Sequence, residues 1–296
     1  MSRVGPLNAL AVLGCVTASV LAAGRAPAEP TTTVTPRDER AAPAATALRI
    51  ASASTVADRL LFDLCPHGRV IAVTERSASG PEGYRFEGRP TLRSLEDLEP
   101  IVALHPDVLV AGAVGDPRRA ARVREAGIEV VEVGSSLGVA TLLEDIRRVA
   151  RLCGVPDGGE AYAAAFQRRM AAVARDVPER ARKPAIYLSI YGDHYFGGTT
   201  PSTYHDVLTA AGLVDAAADG YRGYPQYAIE QLLALDPEII VSRDGMRDAI
   251  CTHAILSRLR ACHDGRVVEI DGDLLDEPGP SMLDAAEAIH EAVYAR

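Results

Sequence analysis

The chain repeats itself. Residues 98–110 read LEPIVALHPDVLV and residues 229–241 read IEQLLALDPEIIV. Both run glutamate, three residues, Ala-Leu, one residue, proline, an acid, then an apolar run ending in valine. Two more pairs keep the same order: Ser54-Thr55-x-x-Asp58-x-Leu60 with Ser202-Thr203-x-x-Asp206-x-Leu208, and Gly127 before VVEV (130–133) with Gly265 before VVEI (267–270). Their offsets differ, so loop lengths have drifted while the order has held. A chain that repeats helix, turn and strand in register is expected to build two lobes of one plan.

The elements between the repeats are those of an α/β protein. LRIASA (48–53), Arg69–Val73, Val108–Ala111 and Ile128–Val133 read as buried strands. Ser54-Thr55 opens a helix carrying Val56, Leu60, Leu61 and Leu64 on one side. Arg118–Ala126 and Val139–Cys153 are helices stopped by Gly127 and Gly154. The segment 75–90 reads as a polar, glycine-rich loop. From Gly158 to about Asp176 the strand signal vanishes, and Tyr162, Phe166, Met170 and Val173 mark one long helix. The alternation then restarts with a strand at Ala185–Ile190, a loop at 191–201, a helix opened by Ser202-Thr203, a short helix over Cys251–Ala261, a strand at Arg266–Ile270 and a closing helix at Pro280–Tyr294. The expected fold class is therefore α/β: two similar lobes with mainly parallel sheets, 48–156 and 184–296, joined by one long helix within 157–183. Ligands of open α/β sheets sit beyond the carboxyl ends of the strands, so a cleft between the lobes is the expected binding place.

The amino terminus points to export. Arg3 precedes an apolar stretch from Val4 to Ala23, and Ala26-Pro27-Ala28 fits a cleavage site, which makes 1–28 a signal peptide. Ala22 and Ala23 offer alternative cleavage sites, and a membrane anchor is the competing reading of the same run. Cys15 within VLGC weakly matches a lipid attachment site, although the apolar run continues past it. Residues 29–47, rich in Pro, Thr and Ala, read as a disordered tether. A signal and a tether place the folded part in the periplasm. A formal net charge of −9 without a basic run argues against nucleic acid as a partner.

Four cysteines follow the signal: Cys65, Cys153, Cys251 and Cys262. No C-x-x-C spacing occurs, and an exported chain keeps disulfides. Cys251 and Cys262 pair only if the chain folds back between them, because a continuous helix would hold their Cα atoms about 16 Å apart. Two small core residues are the alternative, and the pairing of all four is left open.

Taken together, LEPIVALHPDVLV, IEQLLALDPEIIV, STYHDVLTAAGL (202–213) and the Ala-rich connecting helix resemble the periplasmic binding proteins of ABC importers for ferric siderophores, cobalamin and haem. The resemblance covers essentially all of 48–296. It implies two α/β lobes joined by a single long helix, a monomer that is not an enzyme, no resident cofactor or metal, and two partners: a metal chelate or corrinoid, and a membrane permease dimer. It also gives the repeated glutamates a purpose. In that family one exposed glutamate per lobe docks on arginines of the permease, and Glu99 and Glu230 occupy the matching places. The plainer reading is that both begin a helix, where the dipole favours a carboxylate.

Loops after strands supply the candidate ligand contacts: Ser54, Thr55, Glu75, Arg76, Ser77, Ser135, Ser136, His194, Tyr195, Phe196, Arg243 and Asp244. Tyr221, Arg222, Tyr224 and Tyr227 precede the second glutamate. Tyrosines offer flat apolar area with a polar tip, and arginines meet carboxylate or catecholate oxygens. The chain has no Trp, which departs from many cobalamin and siderophore binders of this family. PGP at 278–280 resembles a segment near the end of some corrinoid binders. A ferric siderophore is favoured as the family's commonest cargo, with cobalamin or haem next. The histidines are scattered without an H-x-H pair, so a bare-metal site is not expected. The enzyme alternative is a secreted serine hydrolase. Gly134-Ser135-Ser136-Leu137-Gly138 matches G-x-S-x-G between a strand and a helix, with Asp271 or Asp273 and His290 downstream.

Overall fold

The structure is a computed structural model and describes residues 48–295, which belong to one compact unit. The expected signal peptide (1–28), the expected tether (29–47) and Cys15 lie outside the described residues. In chain order the first half carries β1 (Ile50–Ala53), α1 (Thr55–Leu64), β2 (Val70–Thr74), α2 (Glu75–Ser79), β3 (Thr91–Leu92), α3 (Leu98–Ala103), β4 (Val108–Gly112), α4 (Pro117–Glu125), β5 (Glu129–Val133) and α5 (Val139–Leu152). The five strands form one wholly parallel sheet in the order β3-β2-β1-β4-β5. The order reverses on either side of β1, so the loops leaving β1 and β4 diverge and open a crevice at their carboxyl ends. The strands read as unbroken apolar runs because helices cover both faces: Ile50, Val110 and Val133 pack against α1 and α5, while Ala51, Leu109 and Ala111 pack toward α4.

The long helix is α6 (Pro156–Val173), 18 residues and about 27 Å. It starts at Pro156, two residues before the expected Gly158, and ends at Val173, because proline is well suited to a first helical position. Gly159 lies directly on Ala150 of α5, and a Cβ there would collide with the alanine methyl, so glycine sets this close crossing.

The second half carries β6 (Pro184–Tyr191), β7 (His194–Gly198), α7 (Thr203–Ala210), β8 (Val214–Asp215), β9 (Gln226–Tyr227), α8 (Ile229–Leu235), β10 (Ile239–Arg243), α9 (Arg247–Cys251), α10 (Arg260–His263), β11 (Val267–Ile270), α11 (Gly272–Leu275) and α12 (Ser281–Tyr294). Its sheet runs β11-β10-β6-β7-β9, with β8 paired to the start of β6. β10, β11 and β8 are parallel to their neighbours, whereas β7 and β9 are antiparallel.

The duplication is visible in the backbone. His105 and Asp236 stand at the same place in the two repeats, and they are the non-glycine residues with positive φ among those described, at 46° and 33°. Each reverses the chain after its helix, just before a proline that cannot continue it. Gly127 and Gly265 do the same ahead of β5 and β11, with φ of 86° and 66°.

Three expected elements differ. The 75–90 loop holds α2 and a 3₁₀ turn at Gly83–Phe86, and Phe86 is buried in the core. The 191–201 loop is in large part strand β7, turned back on β6 at Gly192, whose φ of 58° suits glycine. The expected helix over 251–261 breaks into the end of α9, a 3₁₀ turn at Leu256–Arg258 and the start of α10. That break brings Cys251 and Cys262 to a Cα separation of 5.3 Å as a disulfide. A second disulfide ties Cys65 after α1 to Cys153 after α5.

Candidate functional site

A cavity of about 400 Å³ lies at the carboxyl ends of the first sheet. Residues that leave all five of its strands line it, from Ser54 after β1, Thr74 on β2, and Arg93 and Ser94 after β3, to Gly112 on β4 and Ser136 after β5. The second lobe closes it with Asp276, Glu277 and Pro278, from the loop between α11 and α12.

Small residues make the first-lobe wall. Ser54 is the residue before α1, yet its side chain makes no capping bond and stays at the cavity. Its counterpart Ser202 does cap α7, accepting from the His205 amide at 3.2 Å. Below the wall, buried Asp58 of α1 accepts from the Thr74 amide at 3.1 Å and from the Thr74 hydroxyl at 2.5 Å. Burial raises the Asp58 pKa, and hydrogen bonds from Ser52, Thr74 and Ser77 oppose that rise. Ser77 therefore belongs to the support under β2.

Three arginines ring the same wall, and each has its own acid. Arg76 pairs with Asp273 across the lobes, Arg93 with Asp97 at 3.0 Å, and Arg119 with Glu96 at 2.5 Å. Arg93 and Arg119 were not anticipated from the sequence, because β3 is only two residues long and gives no strand signal to place Arg93 after.

The second-lobe side is organised around Asp276. One carboxylate oxygen accepts from the Tyr204 hydroxyl at 2.8 Å and the Tyr187 hydroxyl at 3.3 Å, and the other faces Arg243 at 3.7 Å. The Tyr187 and Tyr204 rings are stacked, with centroids 3.5 Å apart. Burial pushes the Tyr187 hydroxyl up to about 12 and raises Tyr204 further, so both remain hydrogen-bond donors at neutral pH. The neighbouring Tyr191 hydroxyl, followed by the Asp276 charge, raises the Arg243 pKa. From Tyr191 the aromatic surface continues to Phe196 and then His194, at centroid separations of 5.9 and 6.2 Å. Next to Asp276, Glu277 is raised by burial, while a hydrogen bond from Thr55 and the charge of Arg76 pull it back. Asp276 and Glu277 were also missed. The rule that found the other loops, residues just beyond a strand's carboxyl end, applies equally to the segment after β11.

The lobes hold each other beside the cavity. Ser136 offers its carbonyl to the Thr203 amide at 3.1 Å and to the Tyr224 hydroxyl. Asp206 accepts from the Val139 amide at 2.6 Å, so an acid of the second lobe caps α5 of the first. Asp206 matches Asp58 in the repeat, but one seals its own lobe and the other joins two.

The structure therefore sorts the expected contacts. Ser54, Thr55, Arg76 and Ser136 line the cavity. Arg243 and Tyr224 lie on the second-lobe side outside the cavity lining, Arg243 facing Asp276 and Tyr224 bonding the Ser136 carbonyl, while Phe196 and His194 extend from Tyr191 and do not line the cavity. Tyr195 is buried in the second core and bonds His253 at 3.2 Å. His194, Tyr195 and Phe196 are consecutive in a strand, so alternate side chains point to opposite faces. Tyr221 and Tyr227 pack edge-on to each other at 5.0 Å within that same core. Arg222 bonds the carbonyls of its own loop, and Asp244 accepts from the Gly272 amide at 3.1 Å. Glu75 is exposed at the start of α2, and Ser135 is half-buried outside the cavity lining.

The hydrolase reading fails on geometry. Ser136 does not adopt the strained turn of a nucleophile elbow; the positive φ values fall on Gly134 and Gly138. His290 bonds the Ala211 carbonyl at 3.1 Å from within α12, Asp271 caps α11 through the Asp273 amide at 2.8 Å, and Asp273 pairs with Arg76. Each candidate partner of Ser136 is engaged elsewhere.

Comparison with known proteins agrees with this architecture. The family model described as "Periplasmic binding protein" matches residues 50–274. The vitamin B12-binding protein of Vibrio cholerae serotype O1 is 27% identical over 252 residues, 81% of this chain and 87% of its own length. The cobalamin-binding protein of Halobacterium salinarum is 25% identical over 261 residues, 83% of this chain and 69% of its own. The crystal structure of the periplasmic haem-binding protein HutB of Vibrio cholerae superposes with a TM-score of 0.72 at 20% identity, covering 84% of this chain and all of that one.

Proposed function

The chain belongs to the periplasmic binding protein family, and on that footing we propose that it is the solute-binding component of an ABC importer that carries a metal-bearing macrocycle. The observation that carries this reading is the cavity itself: loops from one lobe wall it, and residues 276–278 of the other close it. Cobalamin is the first choice of ligand, supported by what the two relatives are named for, and haem is the second, supported by the fold neighbour. A ferric siderophore, expected from cargo frequency alone, stands behind both. The lobes are assigned to 48–156 and 184–296 with 157–183 between them. The chain works as an exported monomer, with 1–28 as its signal.

Glu99 and Glu230 are proposed as the permease contacts. Each is exposed, each is the second residue of its short helix, and among the described residues neither enters an ion pair. Two unpaired carboxylates, one per lobe, suit a two-fold partner that presents arginines. The test is twofold. Calorimetric titration of the mature protein with cyanocobalamin and with haemin is expected to give saturable one-to-one binding of at least one; heat of dilution alone for both would refute the solute assignment. Glu99→Ala with Glu230→Ala is expected to leave that binding intact and abolish uptake in cells carrying the importer, and uptake at the parental rate would refute the docking assignment.

A further inference from the structure

The second-lobe face of the cavity holds a carboxylate that is fixed from behind and open in front. Asp276 is gripped by the Tyr187 and Tyr204 hydroxyls and by Arg243, all from its own lobe, and it still lines the cavity. Two stacked rings and a guanidinium leave it little freedom to turn away. Beside it, Glu277 adds a second acceptor. On the opposite wall Arg76, Arg93 and Arg119 are already paired with Asp273, Asp97 and Glu96. The cavity thus presents a fixed anionic acceptor and no uncompensated pair of cations.

We propose that Asp276 is a specificity-determining residue that selects an amide-fringed corrinoid over a dicarboxylate porphyrin. This rests on the reading of the cavity as the solute site. A corrinoid carries primary amides around its ring, and each has two N–H donors for a waiting carboxylate. Haem carries two ionised propionates instead. Turned toward Asp276 they meet like charge, and turned toward the arginines they compete with acids already in place. Tyr187, Tyr204 and Arg243 act as positioning residues, holding the acceptor where the ligand's donors arrive.

The experiment titrates cyanocobalamin and haemin into the mature wild-type protein and its Asp276→Ala, Asp276→Asn and Tyr204→Phe variants, with thermal unfolding run beside each. Wild type is expected to bind cyanocobalamin at least tenfold more tightly than haemin. Asp276→Ala is expected to lose tenfold or more toward cyanocobalamin. Asp276→Asn keeps the shape and one acceptor oxygen without the charge, so it is expected to lose less toward cyanocobalamin and to gain toward haemin. Tyr204→Phe is expected to fall between wild type and Asp276→Ala for cyanocobalamin. If Asp276→Ala unfolds early, Asp276→Asn decides through the ratio of its two affinities. Wild type that binds cyanocobalamin with no change in any variant, or that prefers haemin, overturns the role of Asp276 and leaves the solute-binding function standing. Wild type that binds neither probe overturns both.

Discussion

In the first lobe, β2 runs parallel to β1 as a five-residue strand. In the second lobe the matching edge of the central strand is shared. The two-residue β8 takes the parallel place beside Pro184 and Ala185, and the antiparallel β7 takes the rest, from Tyr187 to Tyr191. β6 is accordingly eight residues long where β1 is four. The consequence is chemical. The parallel lobe ends its strands in Ser54, Thr74 and Gly112, which form a low wall of small groups. The hairpin lobe sets Phe196 against Tyr191 and stacks Tyr204 of α7 on Tyr187, and both hydroxyls of that stack hold Asp276. One plan, duplicated, gives a wall of small groups in one lobe and a carboxylate held by stacked rings in the other.

The two disulfides set the lobes apart in stability. Cys65–Cys153 closes a loop of 88 residues, whereas Cys251–Cys262 closes one of 11. Chain-entropy arguments assign about 4.6 kcal/mol to the first and about 2.8 kcal/mol to the second. Replacing each pair by Ser and following urea unfolding is expected to show the larger loss for the first. Equal losses would mean that loop length does not set the difference between the two bonds.

Asp58 and Asp206 hold matched places in the two lobes. Asp58→Ala strips the acceptor from the Thr74 amide and hydroxyl and is expected to cost about 2 kcal/mol, read as a lower denaturation midpoint at unchanged slope. Its pH dependence has a definite sign. Burial raises the folded pKa of Asp58 above 3.8, so the folded state holds that proton more tightly than the unfolded chain. Its contribution favours folding at pH below 3.8 and is lost as pH rises through the folded value. Wild type compared with Asp58→Ala is expected to show this as a stability difference that shrinks across that window, and a flat difference would remove the assignment. The smallest expected effect belongs to the contact between lobes. Tyr224→Phe loses the bond to the Ser136 carbonyl, and about 1 kcal/mol is expected in thermal unfolding. A cost well above that would show that the lobes lean on this one contact more than on Asp206 and Val139.

The opening repeat was legible because it is written in local chemistry. A helix start, a proline that stops it and an apolar run depend on neighbours a few residues away, and so does the positive-φ residue before each proline. The α/β class, the long α6, the lobe order and the exposed positions of Glu99 and Glu230 all follow from such signals. The hairpin at β7 was not legible, because HYFGG between YGD and TTP lacks the apolar alternation that marks a strand. Its pairing comes from the far edge of β6, and with it came the error over Tyr195, since only a strand sends neighbours to opposite faces. The helix break that joins Cys251 to Cys262 was likewise decided by packing, with Leu256 and Leu259 drawn into the second core. Above all, Asp276 joins the cavity lining only in three dimensions. Sequence shows a carboxylate two residues short of a proline, whereas the fold brings it Tyr187, Tyr204 and Arg243 from up to 89 positions away. Short-range preferences are fixed by the residues themselves, but a carboxylate's role depends on which donors surround it, and only tertiary packing chooses those.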